Sequence, residues 1–218
     1  MSAFLLVRHA QSTWNATGRW QGQADPPLSE TGEASSRQAG QRLRDQMRFD
    51  LVVTSDLVRA QRTGELLGGQ GPAAGAGPGS APRVVVEPSL REFHVGRWSG
   101  LTRAEIAKAW GEELDLFDAG RLAGAPGGET RADFDARVAM AARQVAGLIH
   151  RHQARLTLIV THGGVIRSIA RSCGLVERHI RNLAGYGGTA GGGELSLSYP
   201  VDLLDGEAPG EVAGPVTL

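Results

Sequence analysis

One cysteine, Cys173, stands among 218 residues, so no internal disulfide and no cysteine-based structural zinc site can form. An excess of one charge is also missing. The 23 Lys and Arg balance 23 Asp and Glu, for a formal net charge of zero. Nucleic-acid binders and membrane-surface proteins carry a basic excess or stripe, and none stands out here. Any role for arginine is therefore local. No run of about 18 apolar residues offers a membrane span. The apolar run at Ser2–Val7 is too short for a signal-peptide core, and Arg8 interrupts it. These absences lead to the expectation of a soluble, cytoplasmic protein with no nucleic-acid or membrane partner.

What is present suits a packed core: 41% apolar and 21% charged residues, in a length that fits one substantial α/β domain. Ala3–Val7, Asp50–Thr54, Arg83–Glu87 and Leu156–Val160 read as short buried strands. Helical stretches lie between them. Ser29 caps one through Ala34, Ala39 and Leu43, and Asp56 precedes another through Ala60 and Leu67. A long helix begins near Thr130 and repeats Phe134, Val138, Ala141, Val145 and Leu148 at spacings of three and four. Buried strands alternating with helices predict an α/β fold, a three-layer α/β/α sandwich around a mostly parallel sheet. One domain is expected over residues 1–203. Gly68–Pro82, built of Gly, Ala, Pro, Gln and Ser, reads as a flexible surface loop within it. Gly185–Gly193 reads as a second glycine-rich stretch before a strand at Glu194–Tyr199, and residues 204–218 as a loosely held tail.

In open parallel sheets, ligands bind outside the carboxyl ends of the strands. Arg8-His9 follows the first strand here, Thr54-Ser55 the second and Thr161-His162 the fourth, with Glu92 shortly after the third. An Arg-His pair at a buried strand end is costly without a partner. One histidine of this kind is more often structural than functional, but two at equivalent strand ends favour function. The residue types suit phosphoryl transfer. Guanidinium forks match phosphate oxygens, a neutral imidazole nitrogen can attack phosphorus, and a carboxyl group can protonate a departing alkoxide. Rival motifs are weak. His162-Gly-Gly164 has no G-x-S-x-G serine to serve, and Gly185-Tyr-Gly-Gly-Thr-Ala190 fits a dinucleotide fingerprint by letters alone. His150 and His152 beside Arg151 suit a helix C-terminus better than a metal.

The ordered series Arg8-His-Ala10 with Ser12, Trp14 and Asn15, then Gly18-Arg-Trp-Gln-Gly22, Pro27–Gly32, Ser55–Ala60, Leu90-Arg-Glu92, Gly96–Gly100 and Thr161–Gly164 resembles the histidine phosphatase superfamily, also called phosphoglycerate mutase-like. The resemblance covers Ala3 to about Arg171 and implies the matching fold. It implies that His9 is the phosphorylated nucleophile, that Arg8, Arg59 and His162 complete the phosphate pocket, and that Glu92 is the proton donor. Asn15, Gln21, Gly22 and the amide of Gly163 are implied as substrate contacts. Neither metal nor cofactor is expected. Ala10 departs from the family's usual glycine and requires a negative φ there. The segment Gly96–Thr102 resembles the phosphatase branch, so the expected activity is a histidine acid phosphatase-type hydrolysis of a small phosphorylated metabolite. A cofactor-dependent phosphoglycerate mutase and a catalytically silent phospholigand-binding module are the alternatives. The phosphoester is not specified, and a homodimer is one assembly open to the chain.

Overall fold

A computed structural model describes residues 1–69, 81–176 and 179–204. Most of the Gly68–Pro82 loop and the tail beyond residue 204 lie outside the described residues. The elements run β1 (Ser2–Arg8), α1 (Thr13–Ala16), α2 (Glu30–Gln46), β2 (Leu51–Thr54), α3 (Val58–Gly68) and β3 (Arg83–Val86). They continue with α4 (Arg103–Asp118), α5 (Arg131–Arg151), β4 (Leu156–Thr161), α6 (Gly163–Ser172), β5 (Ala184–Gly191) and β6 (Glu194–Asp202). The sheet order is β3-β2-β4-β1-β5-β6. Strands β3, β2, β4 and β1 are mutually parallel, whereas β5 runs antiparallel to both β1 and β6.

The side-chain alternation of the strands divides the core in two. Phe4, Leu6, Leu51, Val53 and Ile159 face α5 and α6. Leu5, Val7, Val52, Leu158 and Val160 face α2 and α3. The expected three-layer sandwich is therefore what the chain forms. A third apolar cluster, around the fully buried Trp98 with Ile106 and Leu114 of α4, sits apart from the sheet.

The helix starts follow local chemistry. Ser29 accepts from the Gly32 amide at 3.0 Å and Thr130 from the Asp133 amide at 3.1 Å, each satisfying an orphan donor of a first turn. Asp56 precedes α3, as expected, without capping it. Leu57 occupies the cap position with no side-chain bond, and the Val58 amide is satisfied by Asp25 at 2.7 Å. Asp56 is committed to Arg91 instead.

Two strands depart from the sequence reading. β3 is an edge strand, not a buried one, with Val84 40% and Val86 44% exposed. The glycine-rich stretch expected before the last strand is itself β5. Its glycines fit because neighbours occupy the space a side chain needs: a Cβ at Gly185 would lie 1.9 Å from the Leu6 carbonyl, and one at Gly187 2.1 Å from the Tyr199 ring.

Candidate active site

Strand register brings the two histidines together. β1 and β4 pair in parallel with Val7 opposite Val160 and Arg8 opposite Thr161, so His9 and His162 leave the sheet side by side. Their ring centroids are 5.1 Å apart. β2 ends in the same row, where Ser55 Oγ lies 2.9 Å from His162 Nε2.

The tautomer of His9 follows from its contacts. Nδ1 lies 2.7 Å from the Ala10 carbonyl oxygen, which can only accept, so Nδ1 carries the proton and donates. Nε2 is left with its lone pair, and it accepts from Arg59 Nε at 3.2 Å. Burial, with Arg8 and Arg59 close by, pushes the His9 pKa well below the ordinary histidine value. His162 is pushed the same way by burial, then by Arg59. Both rings are neutral at pH 7. Ala10, fully buried, has the negative φ its methyl requires, and its amide donates to Thr63 Oγ1 at 3.0 Å.

Arg59 is wholly buried on α3. Its Nη2 donates to the Gly22 carbonyl at 2.8 Å and its Nη1 to the Ala24 carbonyl at 2.6 Å. Burial lowers its pKa to about 10, which still leaves it charged at neutral pH. Gly22 presents that carbonyl from a left-handed turn with φ +52°, where a Cβ would meet Val95 at 2.7 Å. Arg8 is fixed through Nη1 to the Ile180 carbonyl at 2.8 Å. Its Nε and the Nδ1 of His162 are buried without a hydrogen-bond partner. Unpaired buried polar atoms are costly unless a ligand pairs with them.

Glu92 follows the short 3-10 turn Pro88–Leu90 after β3. Its Oε1 accepts from the Phe93 amide at 2.8 Å and its Oε2 from the Gly164 amide at 3.0 Å. Asn15 closes a capping box with Ser12, whose hydroxyl donates to Gln21 Oε1 at 2.8 Å. The nitrogen ends of both carboxamides remain as donors, and both residues line the cleft.

Eight of the nine sequence-predicted residues (Arg8, His9, Asn15, Gln21, Gly22, Arg59, Glu92 and Gly163) line one cleft of about 620 Å³. His162 is fully buried and stands behind His9. Three contributors escaped the sequence reading. The backbone of Gly164 lets Glu92 in, since a Cβ there would lie 2.1 Å from Oε1. Asn182 donates to the His9 carbonyl at 2.8 Å and to Asn15 Oδ1 at 3.2 Å. Arg137 donates to the carbonyls of Ser89, Arg91 and Glu92 and pairs with Glu129, fixing the segment that bears Glu92. Among the described residues, no group of three or more His, Cys, Asp or Glu could hold a metal ion, and no helix is long and apolar enough to cross a membrane.

An α/β sandwich that brings two strand-end histidines together with the wholly buried Arg59 and the half-buried Arg8 has the residue types that suit a phosphoryl group, as in phosphatases and phosphomutases. The particular family agrees: residues 4–186 match the histidine phosphatase superfamily (branch 1), and the chain belongs to it. It is 36% identical over 183 residues to a 2,3-bisphosphoglycerate-dependent phosphoglycerate mutase of Methylobacterium radiotolerans, covering 82% of each chain. It is 34% identical to a metal-independent phosphoserine phosphatase of Arabidopsis thaliana, covering 78% of this chain and 67% of that one. Among solved structures it is similar to a mycobacterial glucosyl-3-phosphoglycerate phosphatase, with 30% identity, TM-score 0.66, and coverage of 87% and 93% of the two chains.

Proposed function

We propose that the chain is a metal-independent phosphomonoesterase that hydrolyses a small phosphoester through a phosphohistidine on His9. The observation that carries this reading is the His9 tautomer. With Nδ1 donating to the Ala10 carbonyl, the lone pair of a neutral Nε2 is the atom directed at a bound ester. In the first step Nε2 attacks phosphorus, the N–P bond forms and the P–O bond to the alcohol breaks. The Glu92 carboxyl group delivers its proton to the departing oxygen. In the second step Glu92, now a carboxylate, takes a proton from water. The water oxygen attacks phosphorus, the N–P bond breaks, and inorganic phosphate leaves.

The electrostatics serve both steps. Arg59 Nε exchanges its bond to His9 for one to a phosphate oxygen, and the unpaired Arg8 Nε and His162 Nδ1 donate to the others. Fixed charges and donors around the equatorial oxygens are the main source of catalysis in phosphoryl transfer. The Gly163 amide, at the start of α6, adds a backbone donor. Rapid quench with labelled ester tests the reading. An acid-labile, base-stable phosphoprotein should be trapped with the native chain and be absent from His9→Ala. An acid-stable phosphoserine would overturn it.

A mutase reading has one observation in its favour, the similarity to the Methylobacterium radiotolerans enzyme. It uses the same first step but returns the phosphoryl group to a second hydroxyl in place of water. Phosphorus NMR of a reaction with 3-phosphoglycerate separates the two. Growth of inorganic phosphate supports the phosphatase, and growth of 2-phosphoglycerate alone supports the mutase.

A further inference from the structure

The arginines of the cleft are not equivalent. Arg8 and Arg59 are tied to backbone carbonyls beside His9. Arg19 bonds the Gly100 carbonyl and Glu105, and Arg131 bonds the Phe117 carbonyl while lying 4.3 Å over its ring. Arg171 pairs with Asp135, whose other oxygen takes the Ser168 hydroxyl at 2.6 Å. Arg167 lines the same cleft, half-buried on α6, and has no hydrogen bond or ion pair among the described residues.

Its guanidinium lies near the phosphate end. From the point a Cβ on Gly163 would occupy, Arg167 Nη1 is 3.3 Å away and Arg8 Nε is 3.7 Å away, so the two nitrogens are at most 7.0 Å apart. The charge balance makes that position informative. Six arginines and two carboxylates, Glu92 and Asp135, line the cleft, an excess of four positive charges among these groups. A phosphate dianion offsets half of that. A partly desolvated guanidinium without a counter-ion is costly, and a planar fork matches a carboxylate or phosphate edge.

We propose that Arg167 receives a second anionic group of the substrate, a carboxylate or a second phosphate a few bonds from the phosphoryl group that reacts at His9. The assignment rests on the phosphatase reading and adds the substrate class, small phosphoesters bearing another acidic group. The two sources share one chemistry, and matched substrates separate them.

The test compares n-propyl phosphate, phosphoglycolate and 1,3-propanediol bisphosphate on the native chain, Arg167→Met and Arg167→Lys. The native chain should prefer the diacidic esters over propyl phosphate in kcat/KM. Arg167→Met should reduce that preference by about tenfold or more, mostly through KM, as expected for one lost charge-assisted contact. Arg167→Lys should recover part of it. If phosphoglycolate alone loses, the second group is a carboxylate, and if the bisphosphate alone loses, it is a phosphate. Equal losses on all three esters, or none, would overturn the assignment. Titration calorimetry of phosphoglycolate and propyl phosphate into His9→Ala, with and without Arg167→Met, reads the same preference without turnover. If the native chain hydrolyses no ester, the phosphatase reading fails. The binding preference in the calorimeter then decides the Arg167 assignment by itself.

Discussion

The two ends of the cleft are built differently. At the inner end, His9, Arg8 and Arg59 each spend a donor on a main-chain carbonyl, of Ala10, Ile180 and Gly22, and Glu92 is held by two main-chain amides. At the outer end, contacts between side chains take a larger share: Arg131 over Phe117, Trp20 edge-on to Trp98, and Arg171 on Asp135, beside the bonds of Arg19 and Arg131 to the Gly100 and Phe117 carbonyls. A main-chain carbonyl or amide is present whatever side chain its residue carries and survives most substitutions, whereas each of those side-chain contacts is lost with one residue. The inner end can thus keep one chemistry while the outer end changes with the ester. The activities named for the relatives, a mutase and phosphatases of different esters, fit that division.

Four measurements sharpen or break the contrast. The largest effect belongs to Glu92→Gln, which should lower kcat on an alkyl phosphate by about 10²–10⁴-fold, the usual worth of a general acid. The loss on p-nitrophenyl phosphate should be much smaller, because that leaving group needs little protonation. Equal losses on the two esters would make Glu92 a binding residue. Next is Gly164→Ala, a main-chain change by design. Its methyl collides with Glu92 Oε1, and displacing a catalytic group by about 1 Å costs roughly 10²-fold. Steady-state kinetics on an alkyl phosphate read this, with circular dichroism to verify folding; a near-native rate would mean that Glu92 tolerates movement.

A third effect is on stability. His9 and His162 have folded pKa values well below 6.5, so in weakly acidic solution the unfolded chain binds protons that the folded chain does not. Stability therefore falls as the pH drops below about 6.5, and these two groups contribute no slope above it. Urea midpoints from pH 7.5 to 5 should show the decline, and His162→Gln should make it shallower. An unchanged slope in that variant would mean that its ring is protonated in the folded state. The smallest effect is the removal of metal. Prolonged chelation should leave turnover unchanged, since arginines supply the charge. A loss restored by magnesium or zinc would break the reading of the inner end.

The contrast also explains what was legible in the sequence. The inner end was visible because strand-end placement is a local property: an apolar run followed by Arg8-His9, and another followed by His162, mark the row directly. The cap at Ser29 and the helix start near Thr130 were visible for the same reason. β5 was not, because glycine is depleted in strands and the reasons for Gly185 and Gly187 are the Leu6 carbonyl and the Tyr199 ring, known only after pairing. Asn182 and Arg137 were invisible too. They act on carbonyls 173 and about 46 residues away, and nothing beside them in the chain announces that. The tie between Asp56 and Arg91, 35 residues on, was invisible for the same reason.

One reversed strand has a consequence for how this site can change over time. Because β5 runs against β1, its beginning, not its end, abuts the tip that bears His9, and the Leu183 amide donates to the Arg8 carbonyl at 3.0 Å. Leu183 sits there at φ +60° and fully buried, a left-handed conformation that costs a non-glycine residue on the order of 1–2 kcal/mol. The neighbouring Asn182 carries the carboxamide that supports the His9 carbonyl from outside the strand-end row. Inheritance thus has a second handle on His9. Changes in the connection between α6 and β5 can shift the backbone of His9 while every residue of the family's recognisable motifs stays in place.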